Sequence, residues 1–325
     1  MPSNSHLLSA LMLPLLLGAC AITSHPSEPA KLGRASTEQR LRQVAAQPGP
    51  LRYEPVVGAD WAVPLGGLLN LDHHTAREAQ LEDHDEPVHV LMHVVRHPAH
   101  GTFLIDTGVQ DAWRDPAAEP ALGWMMQKAM NASALEPRTT MVQWLARQDA
   151  PPRGVLLTHL HLDHVMGLPD LPRSVPIYTG PGEAAYRGWQ SLFLRSTLDA
   201  LLEGFGALRE LPFAEASEQA GLAGVLDVFG DESLFALWVP GHTPGHLAFL
   251  LRTEQGPVLL TGDACHTAWG WQHGVEPGSF SYDGPQGSRA LVALRRLADD
   301  IEGLRVVPGH QFLPGDPVSV VASTD

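Results

Sequence analysis

The chain has 325 residues, 44% of them hydrophobic and 18% charged, with a formal net charge of -15 from 36 acidic and 21 basic residues. That is the composition of a globular protein with ample apolar material for a core, and the length allows one large domain or two smaller ones. No basic tract is present, which argues against a nucleic-acid partner and leaves the acidity serving solubility.

The first nineteen residues stand apart. HLLSALMLPLLLGAC, ending at Cys20, is an apolar run interrupted by Pro14. It is shorter than the roughly 20 apolar residues that span a bilayer, and reads as a secretory signal peptide over 1–19. Leu17, Gly18, Ala19 and Cys20 resemble a bacterial lipoprotein box, although no Lys or Arg precedes the run. The resemblance implies a lipid on Cys20, a mature N-terminus there, and residence in the periplasm or outer membrane of a Gram-negative envelope. Ala21 after the cysteine favours the outer membrane, and the lipid is the chain's only expected membrane contact. Cys265 is the one other cysteine, so a lipidated Cys20 leaves no intrachain disulfide.

Residues 21–36 are rich in Pro, Ser and Ala without periodicity, the composition of a flexible tether. TEQRLRQVAAQPG predicts a short helix with Thr37 as N-cap and Pro48-Gly49 as its stop. The tether and helix occupy 20–50, and the main domain is expected over 51–325. VHVLMHVVRHPAHGTFLIDTG predicts a hairpin, with His89, His93 and His97 sharing one face of its first strand. Residues 120–148 carry helical patterning. RGVLL and VPIYTG read as strands, GEAAYRGW and STLDALLEGFG as helices. GVLDVFGDESLFALWVPG and HLAFLLRTEQGPVLLTGDA each read as two strands around a turn. QGSRALVALRRLADDI is an amphipathic helix and LRVVPGH a last strand. Strands mixed with helices throughout predict an α/β layered domain with mixed sheets.

Each polar cluster follows a strand. His159, His161, Asp163 and His164 follow VLL, His242 follows LFALWVP, Asp263 follows PVLLTG, and His310 follows RVVPG. Loops leaving one edge of a sheet converge, and five imidazoles with two carboxylates are what one or two divalent ions such as zinc take as ligands. Two ligand sets sharing a carboxylate form the centre of a two-metal hydrolase.

The motifs THLHLDH, GHTPGH, TGDA and PGH, in this order and preceded by FLIDTG, resemble those of the metallo-β-lactamase-fold hydrolases over residues 55–315. The resemblance implies a four-layer αββα sandwich with two mixed β-sheets and a metal site along one sheet edge. It assigns His159, His161 and His242 to a first metal, Asp163, His164 and His310 to a second, and Asp263 to both. The branch most like this chain is that of the N-acyl-homoserine lactonases. Those enzymes place a Tyr three residues beyond the shared Asp, where this chain has His266. The implied reaction is opening of a lactone or other activated ester by a hydroxide held between two ions, zinc by ligand type. Asp163 would accept a proton and His266 would donate to the substrate carbonyl. The same centre acting on thioesters, phosphoesters or β-lactams is the nearest alternative. An iron oxidoreductase and a non-catalytic, metal-stabilised envelope lipoprotein are more distant ones.

Other residues have two readings each. Asp106 orients a ligand imidazole or forms a turn. His246 is a structural residue or supports the site. The His89, His93, His97 stripe is a solvated strand face or a third metal site, and the former is expected. His73 and His74 form a surface loop or line the pocket mouth. Cys265 is a small buried residue or an oxidisable thiol. Trp269 and Trp271 wall a substrate pocket or only pack, and the helix within 183–206 caps a pocket or packs against the core.

Overall fold

The computed structural model describes residues 21–115, 117–188, 191–214 and 221–316. The signal-peptide stretch and Cys20 lie outside them. In chain order the elements are β1 (Ser27–Pro29), β2 (Arg34–Ser36), α1 (Glu38–Val44), β3 (Arg52–Pro64), α2 (Leu65–Leu68), α3 (His74–Glu78), β4 (Asp85–His97) and β5 (Gly101–Ile105). Then come α4 (Trp124–Ala129), β6 (Glu136–Pro137), α5 (Met141–Leu145), β7 (Gly154–Leu156), α6 (Leu162–Val165), β8 (Ile177–Thr179), α7 (Ser191–Leu201) and β9 (Leu208–Glu210). The last part holds β10 (Gly224–Asp227), β11 (Leu234–Trp238), β12 (Leu247–Thr253), β13 (Gly256–Leu260), α8 (Ala268–His273), α9 (Gly284–Asp300) and β14 (Arg305–Val307).

Among the described residues the strands form two mixed sheets, ordered β1-β9-β8-β7-β5-β4-β3-β6 and β14-β13-β12-β11-β10-β2. Strand alternation sorts the side chains into layers. Leu91, Val95, Phe103, Ile105 and Leu156 of the first sheet meet Leu226, Ala236, Phe249, Leu251 and Leu260 of the second. On the outer face of the first sheet, Val90, Met92, Val94 and Leu104 pack against Met141, Trp144, Leu198 and Leu201 from α5 and α7. On the outer face of the second, Phe235, Leu237, Leu250 and Leu259 pack against Ala290, Leu294 and Leu297 of α9. Those α9 positions recur at helical spacing, and the Asp283 side chain caps the helix by accepting from Gln286 N–H. The four-layer αββα sandwich expected from the sequence is the architecture found.

Three readings need correction. Residues 21–36 are not a free tether. β1 pairs with β9 and β2 with β10, one strand in each sheet, and Ile22 is fully buried. Residues 21–50, expected to lie outside the domain, are thus packed into it. Two three-residue edge strands carry too little pattern to show in composition. Second, GEAAYRGW is not helical: residues 182–188 form turns and extended chain. Third, His89, His93 and His97 are not a solvated face. They lie on the side of β4 facing the second sheet, where His93 and His97 are buried. His93 Nδ1 meets Tyr53 Oη at 2.9 Å, and His97 Nε2 meets an Asp231 carboxylate oxygen at 2.8 Å. Burial holds His93 down at about 3, so it stays neutral.

Candidate metal centre

The candidate ligands leave the C-terminal ends of β7, β11, β13 and β14, so rigid strand ends deliver them all to one edge of the sandwich. His159 and His161 follow β7, and α6 carries Asp163 and His164. The loops are stitched together by the backbone: Leu247 N–H donates to Thr158 O at 2.8 Å, and His310 N–H to His266 O at 3.0 Å. Glycines permit the close approach. Gly262 adopts φ +50, and a Cβ on Gly309 would collide with Asp263 Oδ1.

The side chains form two sets. His159, His161, His242 and Asp263 compose one, and Asp163, His164, His310 and Asp263 the other. In the first, His242 Nε2 lies 3.1 Å from His159 Nε2, 2.8 Å from His161 Nδ1 and 3.4 Å from Asp263 Oδ2. In the second, His164 Nε2 lies 3.5 Å from Asp163 Oδ2 and 3.3 Å from Asp263 Oδ2. His310 Nε2 is 3.2 Å from Asp163 Oδ2 and 3.3 Å from Asp263 Oδ2. Ligand atoms about 2.0–2.1 Å from a tetrahedral zinc ion stand about 3.3 Å from one another. The observed separations cluster around that value, and both sets include the same Asp263 oxygen.

The protonation states fit cations as well. Burial pushes His159 and His242 well below the ordinary imidazole value, and His161 to about 4. A neutral ring has a nitrogen lone pair to offer, so these three can ligate a cation without first losing a proton. Burial also opposes the charged forms of His164 and His310, but the Asp263 carboxylate, joined by Asp163 and, for His164, Asp106, outweighs it. His164 is held well above its usual value and His310 at about 8, so protons must leave the second set when metal enters. For Asp263, burial disfavours ionisation, yet His310, His164 and His266 hold its carboxyl well below the usual range. Its Oδ1 is buried and accepts no hydrogen bond among the described residues. The residues fit a pair of divalent ions.

The remote nitrogens of four of these five rings are also held, which fixes the aim of those four. His159 Nδ1 meets Thr158 Oγ1 at 3.1 Å, His242 Nδ1 meets Ser281 Oγ at 3.3 Å, and His310 Nδ1 meets the His89 carbonyl at 2.8 Å. Asp106 Oδ2 lies 2.8 Å from His164 Nδ1, while Thr158 N–H donates to Asp106 Oδ1. Asp106 does this from a left-handed backbone, φ +57, that a non-glycine residue rarely adopts. Both of its readings hold: it turns the chain and it orients a ligand. His246 Nε2 accepts the Asp263 backbone N–H at 2.9 Å, so it supports the shared carboxylate. Cys265 is buried, and burial pushes its thiol up to about 12.

His266 lines the cavity, within reach of what it holds. Its Nδ1 faces the Leu68 carbonyl at 2.9 Å, and a carbonyl only accepts, so Nδ1 donates. Its Nε2 faces Asp263 Oδ2 at 3.1 Å. The ring lies beside the shared carboxylate and lines the cavity floor.

Above the two sets opens a cavity of about 550 Å³. Trp61, Val63, Leu68, Met126, Met130 and Phe280 are among its apolar walls, and Phe193 and Leu194 place α7 at its side. Trp269 and Trp271 are not part of this wall. Trp269 packs with Leu65, Leu69 and Val275, and Trp271 on the α9 side of the second sheet. His73 caps α3 by accepting from Thr75 N–H rather than lining the mouth. Sequence reasoning missed Glu183, a fully buried carboxylate that accepts from Leu160 N–H, Thr243 Oγ1 and Gly245 N–H. It ties the His159–His161 loop to the His242 loop.

Comparison with known proteins agrees with this architecture. The metallo-hydrolase mfmC of Annulohypoxylon moriforme is 33% identical over 178 residues, 52% of this chain. That match spans 44% of mfmC, so this chain corresponds to less than half of that relative. The N-acyl homoserine lactonase AttM of Azorhizobium caulinodans is 26% identical over 252 residues, 75% of this chain and 90% of AttM. Bacillus thuringiensis AiiA, solved as a variant with N-decanoyl-L-homoserine bound at its active site, superposes with a TM-score of 0.56 at 19% identity. It covers 80% of this chain and 92% of its own. The family model of the metallo-beta-lactamase superfamily matches residues 85–310, a stretch that holds every candidate ligand, and the chain belongs to that superfamily.

Proposed function

We propose that this protein is an exported, metal-dependent hydrolase that opens lactones bearing an apolar acyl chain. The observation that carries the reading is the cavity, whose floor is formed by residues of the two ligand sets and whose walls are largely apolar. On this reading His159, His161, His242 and Asp263 hold one divalent ion and Asp163, His164, His310 and Asp263 a second, zinc by donor type. Ions bound there supply a Lewis acid and a water acidic enough to attack at neutral pH.

The chain's own residues do the rest. The apolar wall holds the acyl chain and sheds water from around the ester, while the ligand sets face its reacting end. Asp163 lines the cavity floor. It can take the proton released as water attacks and pass it to the alcohol oxygen that leaves when the ring opens. His246 holds the Asp263 backbone in place throughout.

The match to AttM over most of both chains supports a lactone over a phosphoester or β-lactam. The Cys20 motif supports a lipid-anchored, outer-membrane location. The test is turnover by zinc-loaded protein on N-acyl-homoserine lactones of increasing acyl length, with a thioester, a phosphoester and a β-lactam as comparators. Each methylene buried contributes about 0.8 kcal/mol, so kcat/KM should climb about fourfold per added methylene until the cavity is full. Lactone hydrolysis indifferent to chain length, or faster turnover of another class, would contradict the reading.

A further inference from the structure

The start of the described chain is clamped to α7. The Ala21 carbonyl accepts from Arg195 Nη1 at 3.4 Å. Ile22 N–H donates to Tyr186 O at 2.8 Å, and its side chain is fully buried. Thr23 Oγ1 and Ser24 N–H both donate to Asp199 Oδ1, at 2.5 and 2.7 Å. Arg195 and Asp199 belong to α7, whose Phe193 and Leu194 line the cavity. The other wall is α4, which lines the cavity with Met126, Lys128 and Ala129. The first two residues of α4 do not line it. Trp124 is 74% exposed and Met125 67%. In a chain of net charge -15, residues 120–135 contain no acidic side chain and one lysine.

These observations bear on where the anchor would put the cavity. Adjacent Cα atoms are about 3.8 Å apart, so a lipid on Cys20 would attach one residue from a point fixed to α7. No tether remains to hold the domain away from the bilayer. We propose that the domain rests on the membrane with the cavity mouth toward it, and that Trp124 and Met125 enter the boundary between headgroups and acyl chains. The occupant of this exposed face is a phospholipid bilayer. Tryptophan suits that boundary, with an apolar ring and a polar N–H, and a stretch without acidic groups is not repelled by anionic lipid. The enzyme would then take acyl-bearing substrates as they partition into the membrane. This inference rests on the lipid-anchor reading above and is independent of which ester is cleaved.

The test uses the full-length protein, isolated from a Gram-negative host with labelled fatty acid and reconstituted into phosphatidylethanolamine–phosphatidylglycerol vesicles whose acyl chains carry bromine. Bromine quenches tryptophan fluorescence only at contact. Wild type should be quenched, and Trp124→Phe should lose most of that quenching with its metal content and detergent-phase turnover unchanged. Label on Cys20 with equal quenching in wild type and Trp124→Phe, or with none in either, overturns the docking and leaves the anchor standing. Absence of label on Cys20 overturns the anchor and the docking with it. Sedimentation as a dimer that Trp124→Glu dissolves would also overturn the proposal, because a second copy would then cover this face.

Discussion

Replacing Asp263 by alanine should remove metal from both sites and lower lactone hydrolysis about a thousandfold, equivalent to about 4 kcal/mol of transition-state stabilisation. The same oxygen, Asp263 Oδ2, lies 3.3 Å from His164 Nε2 and His310 Nε2 and 3.4 Å from His242 Nε2, so neither ligand set is complete without it. His310→Ala removes a residue of the second set alone, and should leave the first ion in place. Metal analysis of the two purified variants checks this directly. Two ions retained in Asp263→Ala would mean that the carboxylate is not shared.

Glu183→Ala should destabilise the fold strongly although it removes no candidate ligand. One Glu183 oxygen accepts from Leu160 N–H at 2.9 Å, and the other from Thr243 Oγ1 at 2.7 Å and Gly245 N–H at 2.9 Å. Truncation strands these donors in the interior, at about 1–3 kcal/mol for each group left unsatisfied. The loss should total roughly 4 kcal/mol, which lowers the melting temperature of a domain this size by about 10 °C. Leu160 lies between His159 and His161, and Thr243 follows His242. The first ion should therefore bind about ten- to a hundredfold more weakly, as when an outer hydrogen bond to a ligand is lost, with the second less affected. Thermal melts and zinc competition on the variant would show it. Unchanged zinc affinity at the first set would reduce Glu183 to a structural buttress.

The candidate ligands were legible because each follows an apolar strand and its type is what a divalent ion requires. The structure places the seven in two sets without exception. Asp106 was legible too, as a polar residue between a strand end and a glycine. The surroundings were harder to read. Glu183 lies in a turn, within a stretch whose composition suggests a helix, and no local spacing links it to loops before and well after it. The cavity wall comes from β3, α4 and α7 and the loop at Phe280, contacts that only the folded chain brings together. His93 and His97 looked like a wet strand face because alternation shows that residues share a side, not which side is covered. The contact of His266 Nδ1 with the Leu68 carbonyl is tertiary and has no sequence signature.

The central claim is that the two ligand sets act as one hydrolytic centre. Titrating metal-free wild-type protein with zinc while following ring opening of a long-chain N-acyl-homoserine lactone tests it most directly. The account predicts negligible turnover without metal and a rise that saturates at two ions per chain. Full activity without metal, or saturation at one ion, would contradict it.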